Sequence, residues 1–127
     1  MRLVSSIFFA LIFGASTLLI AAEPEATIEW KFTTHDFGKV SMNESVTVEF
    51  EFSNPGLMPL IINSVKPSCG CTVADYPKEP IAPGDSGKIT VKYKGSTPGY
   101  FSKSITVTTN ATESTTRLYI KGEVIKK

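Results

Sequence analysis

From Ile28 onward, hydrophobic side chains recur at every second position. Ile28, Trp30 and Phe32 alternate with Glu29 and Lys31, and Val46, Val48, Phe50 and Phe52 alternate with Thr47, Glu49 and Glu51. The same pattern runs through Ile89, Val91 and Tyr93, through Ile105 and Val107, and through Leu118, Ile120, Gly122 and Val124. A period of two places one set of side chains on each face of an extended chain, so each run predicts a half-buried β-strand. No run in this part keeps apolar residues at the three- and four-residue spacing of an amphipathic helix.

Turn residues separate the runs. Asn54-Pro55-Gly56 follows the Phe50–Phe52 strand, Ala82-Pro83-Gly84-Asp85 precedes the Ile89 strand, and Gly95 to Gly99 joins the Ile89 and Ile105 strands. A short strand is predicted between Leu60 and Val65, and a weaker one through Val73 and Tyr76. His35 is placed at a turn before Asp36-Phe37-Gly38. The expected fold is therefore all-β: a seven-stranded immunoglobulin-like β-sandwich, preceded by an N-terminal signal segment.

That segment changes the reading of location. Met1-Arg2 leads an uncharged apolar stretch, Leu3–Ala22, which ends in the small residues Ala21-Ala22. A positive start, an apolar centre and a small-residue end predict a secretory signal over residues 1–22, cleaved after Ala22. The alternative is an uncleaved membrane anchor, because 20 residues is also about one bilayer span. Residues 23–127 then form a single exported domain, periplasmic or secreted, whose membrane contact is limited to an uncleaved segment 1–22. It carries 12 basic and 12 acidic residues, a net charge of zero, so nothing favours binding to phosphate backbones and no nucleic-acid partner is expected. Asn43-Glu44-Ser45 and Asn110-Ala111-Thr112 are glycosylation sequons in a host that glycosylates.

Candidate chemistry is confined to Ser68, Cys69, Gly70, Cys71 and Thr72, which contain both cysteines of the chain. Export puts these thiols where disulfides persist. A Cys69–Cys71 bridge would close a three-residue loop, for which the chain-entropy model gives only about 1.5 kcal/mol. A chain of this length has enough apolar residues to fold without it. Gly70 is expected to ease closure by taking positive φ. Inert packed thiols, an intermolecular cross-link and a soft-metal site for Cu(I), with Met58 or Met42 as a thioether ligand, remain open alternatives. Zinc would need four ligands from two cysteines and the single histidine, and no metal or other cofactor is expected. His35 is also the one candidate base, and no nucleophile elbow accompanies it, so no enzyme is expected. Tyr100, Arg117, Tyr119 and Lys121 form a possible aromatic and cationic contact patch on the last strands.

These residues together resemble the bacterial domain-of-unknown-function family fifteen-seventy-three. The resemblance runs through Phe37-Gly38-Lys39-Val40, Phe50 to Asn54, Pro59-Leu60, Ser68-Cys69-Gly70-Cys71-Thr72, Pro83-Gly84, Gly99, Phe101, Lys103 and Leu118 to Val124. It implies an exported immunoglobulin-like sandwich, similar at fold level to cilia-associated and pilus-chaperone-like domains that act by binding. The functional expectation is a non-enzymatic module that binds another cell-envelope or surface protein. The alternative is a thiol/disulfide redox or Cu(I) site at the Cys-Gly-Cys turn.

Overall fold

The computed structural model describes residues 24–126. The expected signal segment and its boundary at Ala22 lie outside the described residues. Eight strands form: β1 (Glu29–Trp30), β2 (Thr34–Ser41), β3 (Ser45–Ser53), β4 (Ile62–Pro67), β5 (Thr72–Asp75), β6 (Ser86–Lys94), β7 (Gly99–Thr109) and β8 (Thr115–Ile125). They make two four-stranded sheets, ordered β1-β3-β6-β5 and β2-β8-β7-β4. Both orders match the two sheets of an immunoglobulin sandwich, with β2 added beside β8.

The count exceeds the expected seven because the first strand is split between the sheets. β1 pairs antiparallel with β3, and Lys31 N still donates to Glu51 O. Two residues later Tyr119 N donates to Thr33 O, and β2 continues parallel to β8 in the other sheet. The switch at Phe32 lets one short segment close the side of both sheets.

Strand β2 was hidden by its own irregularity. Its register with β8 slips between Asp36 and Lys39, so Phe37 and Gly38 together face Gly122. Gly38 sits at φ 72°, and its N–H donates to Asp36 Oδ1 at 2.8 Å. Such a bulge needs a residue that tolerates positive φ, and it breaks the period of two. His35 consequently lies on a strand rather than in a solvated turn. It is half-buried, with its ring edge-on to Phe37 at 4.6 Å between centroids.

Between the sheets lie Val48, Phe50 and Phe52 of β3, Ile89, Val91 and Tyr93 of β6, Phe101, Ile105 and Val107 of β7, and Leu118, Ile120 and Val124 of β8. Apart from Phe101, these are residues the alternation assigns inward, each worth about 1.5–3 kcal/mol of burial before entropy is counted, whereas Phe32, assigned to the same face, is exposed where the chain changes sheet. Tyr93 stacks on Phe101 at 4.1 Å, and Trp30 Nε1 donates to Thr116 Oγ1 at 3.3 Å, so both contacts join one sheet to the other. The ion pairs Lys31–Glu51, Lys78–Asp75 and Lys88–Glu49 are all exposed and contribute little.

Candidate functional site

The chain leaves the second sheet at the end of β4 and enters the first at β5. Ser68 to Cys71 make that corner. Ser68 N donates to Ser104 O at 2.8 Å, and Ser68 Oγ accepts from Ser104 N at 3.1 Å, which fixes the approach. Thr72 N donates to Cys69 O at 3.3 Å, closing a four-residue turn, and Lys94 N donates to Cys71 O. The turn brings the Cα atoms of Cys69 and Cys71 to 5.4 Å, and their sulfurs are bonded. Gly70 departs from expectation: it does not take positive φ, and a Cβ there would meet nothing within 4 Å. The backbone hydrogen bonds shape this turn without any special glycine conformation.

Thr72 is 3% exposed, and its hydroxyl points at the two sulfurs, 3.5 Å from Cys69 Sγ and 4.0 Å from Cys71 Sγ. Disulfide sulfurs carry no proton, so the hydroxyl is the donor. Cys71 also lines an open depression of about 350 Å³ with Lys94, Lys103, Tyr93 and the Gly95–Gly99 loop. All five sequence candidates therefore occupy one corner. Of the proposed thioether ligands, Met42 is half-buried where its N–H meets Ile125 O, at this same end. Met58 belongs to the opposite end. Among the described residues no group of three or more His, Cys, Asp or Glu side chains could hold a metal ion.

Tyr119, Arg117 and Lys121 do share the outer face of β8, and Tyr100 is 86% exposed opposite Glu123. Tyr100 edges a shallow groove that also includes Asp36, Lys39 and Lys121.

The opposite end of the sandwich holds a feature that alternation did not reveal. The β3–β4 connection (54–61), the β5–β6 connection (76–85), the β7–β8 connection (110–114) and the segment preceding β1 all meet there. Asn54 is fully buried at their centre. Its Nδ2 donates to Met58 O at 2.8 Å and Ile81 O at 3.0 Å, while Oδ1 accepts from Gly56 N at 3.0 Å and Thr27 N at 3.3 Å. Its main chain adds bonds to Asp85 O and from Gly84 N. Every side-chain hydrogen-bonding position of this amide is used in a single loop conformation. Asn110 is a second tie: its Oδ1 accepts from Ile61 N at 2.7 Å and its Nδ2 donates to Pro59 O at 3.1 Å. Leu60 and Ile81 complete it with a reciprocal backbone pair at 2.8 Å.

This rigid loop end displays three large apolar side chains. Leu57 is 76% exposed, and Met58 and Ile61 are exposed beside it in the same connection. The period of two does not mark them: Leu57 and Met58 fall outside every predicted strand, and Ile61, expected inside the Leu60–Val65 strand, precedes β4, which starts at Ile62. The signal that could have found them is Asn-Pro-Gly followed by Leu-Met-Pro, a turn that carries apolar residues where turns are ordinarily polar.

The chain matches the family model described as Protein of unknown function (DUF1573) over residues 28–124. No curated protein matches it. Among solved structures it is similar to a protein of unknown function from Porphyromonas gingivalis W83, with TM-score 0.70 and 21% identity over 83% of this chain and 50% of that one. It is also similar to PapD-like domain 7 of human CEP192, with TM-score 0.66 and 11% identity over 93% and 99% of the two chains. The secreted serine protease VesC from Vibrio cholerae shares the fold in part, with TM-score 0.58 and 13% identity over 77% of this chain and 23% of the protease. The chain thus spans half the length of its Porphyromonas neighbour, and at these identities the likeness concerns the fold alone. The matched segment runs from just before β1 to the end of β8 and includes the Cys-Gly-Cys corner, and on that match the chain belongs to the DUF1573 family of proteins of unknown function.

Proposed function

We propose that this chain is an exported, non-enzymatic immunoglobulin-like module that binds another cell-envelope or surface protein through its Asn54 end. The observation that carries this reading is the exposure of Leu57, Met58 and Ile61 on loops held by Asn54 and Asn110. Apolar side chains on a flexible loop lose ordering entropy when a partner binds, whereas a loop fixed in advance avoids that loss. A few such anchors, ringed by polar groups, supply most of the energy of a protein interface. Export rests on the Arg-led apolar segment Leu3–Ala22.

The test is a capture from the envelope fraction by the purified domain, run in parallel with Leu57→Glu and Ile61→Glu. A defined protein retained by wild type and lost from both variants supports the reading. Identical capture by all three, or none by wild type, opposes it. These exposed positions are expected to leave folding stability within about 0.5 kcal/mol of wild type.

The second reading concerns the Cys69–Cys71 corner. Because the sulfurs are bonded to one another, Cu(I) would find thiolates there only after reduction. Redox use is the more direct of the two, since Thr72 and the adjoining depression both bear on the sulfurs.

A further inference from the structure

Building on the redox reading of this corner, we infer that Cys69–Cys71 is a directional thiol–disulfide exchange site, attacked at Cys71 and releasing Cys69, whose reductant is a dithiol. Three observations at the corner combine. Cys71, unlike Cys69, lines the open depression, so an incoming sulfur has an approach to it. Lys94 and Lys103 line the same depression and favour an anionic nucleophile and the thiolates that form. The buried Thr72 hydroxyl lies nearer Cys69 Sγ than Cys71 Sγ, and among the described residues those sulfurs are its only hydrogen-bond partners.

A buried hydroxyl ordinarily takes a strong oxygen acceptor, and a disulfide sulfur is a weak one. That hydroxyl gains its full hydrogen bond when Cys69 becomes a thiolate. The arrangement favours the product of bond cleavage over the intact bridge. The main-chain bonds from Ser68, Thr72 and Lys94 do not pass through the sulfurs, so the corner keeps its shape when the bridge opens.

The reaction balances as two exchanges. A thiolate of the dithiol forms a bond to Cys71 Sγ, the Cys71–Cys69 bond breaks, and its electron pair leaves on Cys69 Sγ, which accepts the Thr72 hydrogen bond. The donor's second thiolate then attacks its own sulfur in the mixed disulfide and releases Cys71. Two electrons pass to Cys69 and Cys71, the donor is left as a disulfide, and the released thiolates take up the two protons the dithiol gave to solvent. A dithiol is favoured over a monothiol because its second sulfur completes the reaction without another encounter.

The experiment uses the oxidised domain with dithiothreitol as the dithiol probe, quenched with iodoacetamide and read by intact mass. Thr72→Val is expected to slow bridge opening about tenfold, and Thr72→Ser to restore it, as loss and return of a hydrogen bond to a charged sulfur require. In parallel, the oxidised wild-type domain opened with reduced glutathione and quenched with iodoacetamide is expected to carry glutathione on Cys71 and the alkyl group on Cys69 about tenfold more often than the reverse, as located by fragment mass. Wild-type opening rates in folded Thr72→Val, or equal occupancy of the two cysteines by glutathione, overturns the proposal. If Thr72→Val does not fold, the glutathione position in the wild-type domain decides alone.

Discussion

Replacing Asn54 tests whether one side chain organises the loop end. Asn54→Ala removes four side-chain hydrogen bonds, those with Thr27, Gly56, Met58 and Ile81, while the main-chain bonds to Asp85 and from Gly84 remain. Ile81 O keeps Leu60 N as a donor, so its loss is partial. Met58 O, Gly56 N and Thr27 N lose their partner within or beside a buried site. At about 1 kcal/mol per bond, more where the orphaned group stays dry, the expected loss is about 4 kcal/mol. That is a large share of the roughly 5–15 kcal/mol typical of a domain, and corresponds to a fall of about 20 °C in Tm. Urea unfolding followed by tryptophan fluorescence reads it directly, since Trp30 is the only tryptophan. Asn54→Asp sharpens the test. It keeps the acceptor but turns a carboxylate oxygen toward two carbonyls, which penalises the charged form and raises the folded pKa. The variant is therefore most stable below the ordinary aspartate pKa and loses stability as pH rises through the folded value. A loss under about 1 kcal/mol in Asn54→Ala, or an Asn54→Asp variant as stable as wild type at pH 7, refutes the role given to this amide.

Other substitutions separate steric from conformational requirements. Gly122→Ala would place a Cβ 2.8 Å from Gly38 O and 2.9 Å from the Phe101 ring, against backbone that cannot yield, so thermal melting should show a loss of about 2 kcal/mol. Gly70→Ala meets nothing and needs no unusual φ, so its Tm should match wild type within about 3 °C. The Cys69→Ser/Cys71→Ser double variant should stay folded and lose about 1.5 kcal/mol or less in denaturant titration, because the closed loop is so short. Burial raises the Tyr93 pKa above the usual tyrosine value, so the unfolded state ionises first. Stability should hold below about pH 10 and decline above it in wild type, with less decline in Tyr93→Phe, as followed by pH-dependent melting.

The sandwich was legible because its core follows a simple rule. β3, β6 and β8 alternate without interruption, and each inward residue the pattern named is buried, apart from Val46 at the start of β3 and Gly122. β2 was not legible, since a bulge at Phe37-Gly38 spoils the period and this edge strand buries only Val40. The cysteine corner could be located from sequence, but not its wiring. The Thr72 hydroxyl and the Lys94–Cys71 bond depend on how β5 lies on β6, a long-range pairing no local pattern encodes. The loop end was the least visible. Asn54 reads as a turn residue, and only the convergence of three connections shows it to be a buried centre.

The parallel pairing of β2 with β8 also bears on how the domain carries load. Ala26 lies beside Thr112 at one end of the sandwich, and Ile125 meets Met42 at the other, so the described chain enters and leaves at opposite ends. Tension between those points pulls β2 and β8 past one another along their length. Their cross-strand bonds, from Thr34–Tyr119 to Ser41–Ile125, are then sheared together rather than peeled in sequence. A domain tethered at one end and gripped at the other would meet force with its longest terminal strand pair, and the first element to yield would be the two-residue β1.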